Sequence, residues 1–103
     1  MLDELLILKK IKEGDIKSFE ELFRRYYFPL CCYAAGITGQ MAVAEEIVEE
    51  LFYVLWKERE RLQIFQSVKS YLYRATRNQS LQYCEHEEVR NRYREAVLLS
   101  LIH

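Results

Sequence analysis

Residues 44–56 read AEEIVEELFYVLW, and this stretch decides the fold class. With residues placed 100° apart around a helix axis, one side collects the apolar side chains of Ile47, Val48, Leu51, Phe52, Val54 and Leu55. The other side collects Glu45, Glu46, Glu49, Glu50 and Tyr53, with Trp56 at the edge. The pattern predicts a helix over residues 41–60 that buries one face and exposes the other. We call the four glutamates of the exposed face the acidic ridge.

Helical spacing also governs the sequence before this helix, and no segment alternates as a strand would. Residues 2–13 repeat apolar side chains at helical intervals and end at a Gly-Asp pair, which favours a helix stop and a turn. Ser18 with Glu21 matches a capping box and predicts the start of a second helix. Pro29 should bend that helix, because proline removes a backbone donor. The glycines in residues 36–39 should end it.

The sequence after the acidic helix predicts a loop and a further helix. Residues 61–67 read RLQIFQS and should form a loop anchored by Phe65. Residues 66–87 predict a fourth helix with a core stripe of Val68, Leu72, Ala75 and Tyr83 and with Tyr71 at its border. The side chains predicted to face away from that core are Lys69, Ser70, Tyr73, Arg74 and Arg77. We therefore expect an all-α bundle of four helices, with the third and fourth antiparallel, and a helical extension over residues 89–103.

Composition narrows the class of protein. A chain of 103 residues, half of them hydrophobic and with only three glycines and one proline, is typical of one compact helical domain. No apolar run approaches the ~18 residues that span a bilayer, so we expect no membrane insertion. The N-terminus has its acids before its apolar stretch and its lysines after it, which is the wrong order for a secretory signal.

Cysteine usage and motif content point away from metal and catalytic chemistry. Cys31, Cys32 and Cys84 are odd in number and lack a C-x-x-C spacing, which favours reduced thiols in a cytoplasmic protein. Cys84-x-His86 offers two candidate ligands, whereas a structural zinc site needs four. The sequence contains no glycine-rich phosphate loop and no spacing typical of a nucleophile with its base. We expect no cofactor, no metal and no enzymatic activity.

Charge is distributed unevenly along the chain. Residues 1–51 hold six Lys or Arg and ten Asp or Glu, hence −4, whereas residues 52–103 hold nine and six, hence +3. From residue 66 to residue 84 there are three cations, Lys69, Arg74 and Arg77, and no carboxylate. Such asymmetry favours either two different charged partners or one charged partner with the other segment facing solvent.

Three segments, in this order and spacing, resemble region 2 of bacterial sigma-70 family factors, and the extracytoplasmic-function group is the nearest. They are GD-x-x-SFEELFRRYY at residues 14–27, AEEIVEELFYVLW at 44–56 and SYLYRATRN at 70–78. The resemblance covers residues 5–84 and implies a small helical bundle. Residues 1–88 should then form the region 2-like domain. Residues 89–103 should form a helical extension or the start of a linker. Members of the family have a second domain, region 4, which reads the promoter −35 element, and no helix-turn-helix of that kind is expected after Asn78.

The resemblance also implies partners and site residues. In the sigma-70 family the acidic motif docks on the clamp coiled coil of core RNA polymerase, and the matching positions here are Glu45, Glu46, Glu49, Glu50, Phe52 and Trp56. The last helix of the family's domain, with the loop before it, binds the non-template strand of the promoter −10 element. Here those positions are Arg61 and the rest of the 61–67 loop, Lys69, Tyr71, Tyr73, Arg74, Arg77 and Asn78. An anti-sigma factor is a further candidate partner.

Two features keep an alternative function open. The docking motif of the family usually has Gln where Glu49 stands and often has Lys where Val54 stands. The fourth helix runs into CEHEE at residues 84–88, whose carboxylates repel phosphate. The alternative is a sigma-like interaction module that binds polymerase or another partner without melting DNA. A helical bundle with an unrelated partner ranks last.

Overall fold

The computed structural model describes residues 3–63 and 67–102. Four α-helices follow one another: α1 (Glu4–Lys12), α2 (Ile16–Thr38), α3 (Met41–Lys57) and α4 (Val68–Ile102). A single 3₁₀ turn, Arg59–Arg61, follows α3. The described residues contain no strand, so the predicted all-α bundle is confirmed. Phe65, the predicted loop anchor, lies outside the described residues.

The start of α2 differs from the prediction. Asp15, not Ser18, caps the helix, since its carboxylate accepts a hydrogen bond from the backbone N–H of Lys17 at 3.2 Å. The Ser18 hydroxyl donates to the same carboxylate at 2.7 Å, and this hydrogen bond lowers the pKa of Asp15. The sequence D-x-x-S therefore caps this helix through the aspartate, as the ranking of capping side chains allows.

The predicted end of α2 is correct to within its last turn. Gly39 follows the helix with φ of 77°, a left-handed conformation that glycine adopts without a Cβ penalty, and its N–H donates to the Ala35 carbonyl at 2.8 Å. Gly36 lies inside the helix, as does Pro29.

Helix α2 is the centre of the bundle and packs against the other three helices. The buried hydrophobic side chains of α1, α2 and α3 are Ile7, Leu8, Ile11, Leu22, Tyr26, Leu30, Cys31, Ala34, Ala44, Val48, Phe52 and Leu55. Val54 was predicted on the buried side of α3 but is 44% exposed. Helix α3 buries a narrower stripe than its apolar side suggests, and Val54 lies beyond the edge of that stripe.

The core stripe of α4 also differs from the prediction. Its buried residues are Val68, Leu72, Thr76 and Ser80, whereas Ala75 and Tyr83 are half-buried. The Thr76 hydroxyl enters the core because it donates to the Leu72 carbonyl at 2.8 Å. Thr76 and Ser80 thus occupy buried positions, whereas a prediction based on hydrophobicity alone assigns burial to Ala75 and Tyr83.

Helix α4 continues far beyond the bundle. It has 35 residues, which is about 52 Å at the helical rise, and its last buried residue is Ser80. All described residues from Glu88 onward are exposed. Over residues 89–102, the predicted extension is therefore the outer part of α4, and it accounts for the 63 Å long axis of the molecule. No helix in the described part of the chain is long and apolar enough to cross a membrane.

Side-chain contacts fasten both ends of α1. At its start, Glu4 accepts hydrogen bonds from Arg25 at 3.0 Å and from the Tyr26 hydroxyl at 2.6 Å. At its end, the Lys12 ammonium donates to the Leu62 carbonyl at 2.8 Å. These contacts fix α1 against α2 and against the segment that follows the 3₁₀ turn.

Candidate functional site

The acidic ridge on α3 has the exposure expected of a binding surface. Glu45, Glu46, Glu49 and Glu50 are all exposed. Within the described residues no cation lies within 4.0 Å of any of their carboxylates. Tyr53 stands among them and is 59% exposed. Four carboxylates without intramolecular partners form a surface that attracts a basic molecule.

Phe52 and Trp56 lie beneath and beside the ridge. Phe52 is 1% exposed, so it cannot touch a partner directly. It meets the rings of Phe19 at 6.1 Å and Phe23 at 5.0 Å, both edge to face. Trp56 is half-buried, 5.1 Å from the Phe19 ring, with the Arg59 guanidinium 4.4 Å from its own ring centroid. Of the two predicted aromatic contacts, only Trp56 remains accessible.

A groove runs between α2 and α3 along the ridge. Its lining residues are Ile16, Phe19, Phe23, Glu49, Phe52, Tyr53 and Trp56, and we call it the aromatic groove. A second depression adjoins it on α2, lined by Phe19, Glu20, Phe23 and Arg24. Sequence reasoning missed this feature, although the i, i+4 spacing of Phe19 and Phe23 in the first motif was a signal for it.

Helix α4 carries the basic face. Lys69, Arg74, Arg77 and Asn78 are exposed, and none of the three cations has a carboxylate within 4.0 Å among the described residues. The first acid of α4 is Glu85, two turns beyond Asn78. The predicted cations and the asparagine therefore reach solvent together, on the part of α4 that packs on the bundle.

The two predicted tyrosines of α4 have different surroundings. Tyr73 is half-buried and meets the Tyr33 ring edge to face at 5.1 Å, so the expectation that it faces away from the core is wrong. Tyr71 is 38% exposed. Tyr71 and Arg74 are three residues apart, and Arg74 and Asn78 four, which places these three side chains on one strip of the helix. Of the positions that the family resemblance assigns to the DNA strand, those that lie between residues 71 and 78 and are exposed here are Tyr71, Arg74, Arg77 and Asn78, and we call them the strand strip.

Arg61 lies in the 3₁₀ turn, and its side chain is 85% exposed. Its guanidinium is 3.5 Å from the Glu58 carboxylate, a contact worth little at such exposure. The chain after it is held by the Lys12–Leu62 hydrogen bond. Residues 64–66 of the predicted loop lie outside the described residues.

The three thiols lie in unlike environments. Cys31 is buried, and burial raises the pKa of its thiol. Cys32 is exposed. The Cys84 thiol donates to the Ile37 carbonyl at 3.4 Å and so joins α4 to the end of α2. Among residues 3–63 and 67–102, no three potential metal ligands come together.

The helical bundle has counterparts among known proteins. The sigma-70 region 2 family matches residues 22–89, which is more than half of the chain. Among solved structures, the NMR structure of an engineered region 2 of sigmaE, in complex with GTAAAA, has the same fold with a TM-score of 0.73. The two chains are 20% identical, and the match covers 86% of this chain and 93% of that chain. No curated protein sequence matches this chain.

The chain belongs to the sigma-70 region 2 family. The prediction drawn from its three sequence motifs is thereby confirmed, and so is the predicted four-helix bundle. Region 2 of this family in general binds RNA polymerase and recognises the promoter −10 element.

Proposed function

We propose that this chain is the polymerase- and promoter-binding region of a sigma factor of the extracytoplasmic-function group. The acidic ridge would bind the clamp coiled coil of core RNA polymerase, and the strand strip would bind the non-template strand of the −10 element. The observation that carries this proposal is the separation of charge. Among the described residues, carboxylates without an ion-pair partner lie on α3 and cations without one lie on α4, within one family-matched bundle.

Polymerase binding by the ridge is supported by its chemistry. Exposed carboxylates without intramolecular partners lose no ion pair when a basic helix approaches, and they speed its association at low salt. The buried Phe52 and the half-buried Trp56 fix the orientation of α3 from beneath. Their proposed role is to position the ridge, with Trp56 also available for contact.

The binding of a DNA single strand by α4 is supported by the presence of cations and an exposed aromatic ring on the same strip of the helix. Cations bind phosphates without reading sequence, whereas an exposed ring can stack on a base that has left the duplex. The strand strip provides Arg74 and Arg77 for the first role and Tyr71 for the second. The fold-matched sigmaE region 2 was solved with GTAAAA bound, which makes a short −10-like strand the natural probe for this chain.

The alternative is a module that binds polymerase without melting DNA. Glu85 and Glu88 favour it, because both are exposed on α4 beyond the strand strip and both repel phosphate. The proposed function and this alternative both use the acidic ridge to bind polymerase. They differ only in whether the basic face of α4 binds a DNA strand.

Reversing the charge of the acidic ridge tests polymerase binding, which both functions require. Glu46→Lys with Glu50→Lys places two cations on the ridge, and we expect binding to core RNA polymerase to be abolished while helicity is retained, because both residues are exposed. Circular dichroism checks the fold, and the affinity for core polymerase is measured by titration. If affinity is unchanged, the ridge is merely a solvated face.

A matched control separates the position of the charge from its amount. Glu85→Lys with Glu88→Lys changes the net charge equally but on the exposed part of α4. Polymerase binding should stay at the wild-type level in this control. Affinity for a −10-like strand should rise, because two repelling carboxylates have been replaced.

A further inference from the structure

The first family-like motif, GD-x-x-SFEELFRRYY at residues 14–27, has no role in the two surfaces described so far. Part of it is structural, since Leu22 and Tyr26 are buried in the core. Phe19 and Phe23 are different, because they are only half-buried and line the aromatic groove. Their accessible ring edges call for an explanation beyond packing.

The groove has an apolar floor that the bundle leaves open. Ile16 at one end is 47% exposed and Tyr53 on the α3 wall is 59% exposed. Between them lie Phe19, Phe23 and Trp56, joined by ring contacts of 5.0–6.1 Å to one another or to Phe52. The rings are held rigidly by these contacts, so the groove is preformed and would lose little side-chain entropy on binding.

The rim of the groove carries the charge of the ridge. Glu49 lines the groove and is also a member of the acidic ridge, whereas the adjoining depression on α2 carries both Glu20 and the cation Arg24. Neither carboxylate has a cation within 4.0 Å among the described residues. The groove is thus continuous with the ridge, and an apolar side chain flanked by basic residues matches it in both polarity and charge.

We propose that the aromatic groove is the second half of the polymerase-docking surface and receives an apolar side chain of the helix that binds the ridge. The inference rests on the proposed function, because it takes core RNA polymerase as the partner. It assigns the first motif a role in binding, with Ile16, Phe19 and Phe23 supplying α2 contacts that the sequence did not reveal. The ridge supplies long-range attraction, and the groove supplies the contact that excludes water.

The two contributions differ in their dependence on salt, and this difference defines the test. Ile16→Ser removes exposed apolar surface from the groove end, and we expect about fivefold weaker binding to core RNA polymerase, the effect of losing roughly half an isoleucine side chain's burial. That factor should be equal at about 0.05 M and about 0.3 M salt, because apolar contacts are not screened. The loss caused by Glu46→Lys with Glu50→Lys should shrink as salt rises.

A control and a second variant complete the design. Leu6→Ser removes a side chain of the same size and similar exposure from α1, away from the groove, and should bind polymerase as the wild type does. Tyr53→Ser removes the most exposed ring of the groove without opening the core, and should weaken binding at both salt concentrations.

The outcomes distinguish the groove from the ridge. If Ile16→Ser and Tyr53→Ser bind as tightly as Leu6→Ser while the ridge reversal abolishes binding, the groove proposal is overturned and the proposed function stands. If none of these variants alters binding, both are overturned. A salt-independent loss in the two groove variants, with Leu6→Ser unchanged, supports the groove.

Discussion

Tyr71 and Tyr73 lie two residues apart on α4. Replacing each of them with alanine separates an effect on DNA-strand binding from an effect on the stability of the fold. Tyr71 is 38% exposed on the strand strip, whereas Tyr73 packs on Tyr33 at 5.1 Å. Stacking of a base on an exposed ring is worth roughly 1–3 kcal/mol. Tyr71→Ala should therefore weaken the binding of a −10-like single strand by a factor of about 5 to 150, with little effect on stability.

Tyr73→Ala should instead lower the stability of the fold and leave the affinity for a DNA strand nearly unchanged. It removes an edge-to-face pair worth about 0.5–1.5 kcal/mol together with a half-buried ring, for a total of roughly 2 kcal/mol. In a domain of this size that lowers Tm by about 10 °C. Strand affinity, measured well below Tm, should change little.

The assay is fluorescence anisotropy of a labelled −10-like strand titrated with the complex of this chain and core polymerase, at low salt. Thermal unfolding followed by circular dichroism gives the stability of the same variants. If Tyr73→Ala weakens strand binding as much as Tyr71→Ala does, or if Tyr71→Ala has no effect, the assignment of the stacking ring to Tyr71 is refuted.

Three further predictions concern single groups. Arg77→Gln should reduce the slope of log affinity against log salt for a single strand by about 0.7, whereas Arg90→Gln, beyond the strand strip, should leave it unchanged; equal slopes for both variants would contradict phosphate binding by Arg77. Burial and then the hydrogen bond to Glu4 raise the pKa of Tyr26 to about 12. Because this is above its ordinary value of about 10, Tyr26 should contribute a loss of stability of roughly 2 kcal/mol between pH 10 and pH 12. Urea unfolding at each pH should therefore show a smaller loss of stability in Tyr26→Phe than in the wild type. Ser80→Ala removes a buried hydroxyl that has no hydrogen-bond partner in the described structure, so Tm should stay the same or rise by a few degrees, and a lower Tm would show that the hydroxyl is satisfied.

The sequence predicts α3 and its ridge well because the acids and the buried residues lie on opposite sides of one helix. It predicts α4 less well, since Thr76 and Ser80 enter the core as small polar residues that hydrophobicity does not mark. The difference between Tyr71 and Tyr73 depends on Tyr33, which reaches α4 from another helix and has no signature in local spacing. The aromatic groove is likewise a product of two helices, so the spacing of Phe19 and Phe23 indicates the rings but not the space between them.

The capping of α2 shows a subtler limit. Both Asp15 and Ser18 are good capping residues, and the spacing of Ser18 and Glu21 wrongly assigns the cap to Ser18. In the structure Asp15 caps the helix, and Ser18 supports the cap by donating a hydrogen bond to its carboxylate. A pattern can thus locate a helix start to within one turn without assigning the roles of the residues that form it.

The central claim is that one small bundle binds polymerase through α3 and a promoter strand through α4. It is tested most directly by measuring, in one experiment, the retention of core RNA polymerase and of a labelled −10-like strand on the immobilised chain. We expect the wild type to retain both, Arg74→Gln with Arg77→Gln to retain polymerase alone, and Glu46→Lys with Glu50→Lys to lose polymerase. Equal retention of the strand by the wild type and the double arginine variant would contradict strand capture by α4, and equal retention of polymerase by the wild type and the ridge reversal would contradict the account as a whole.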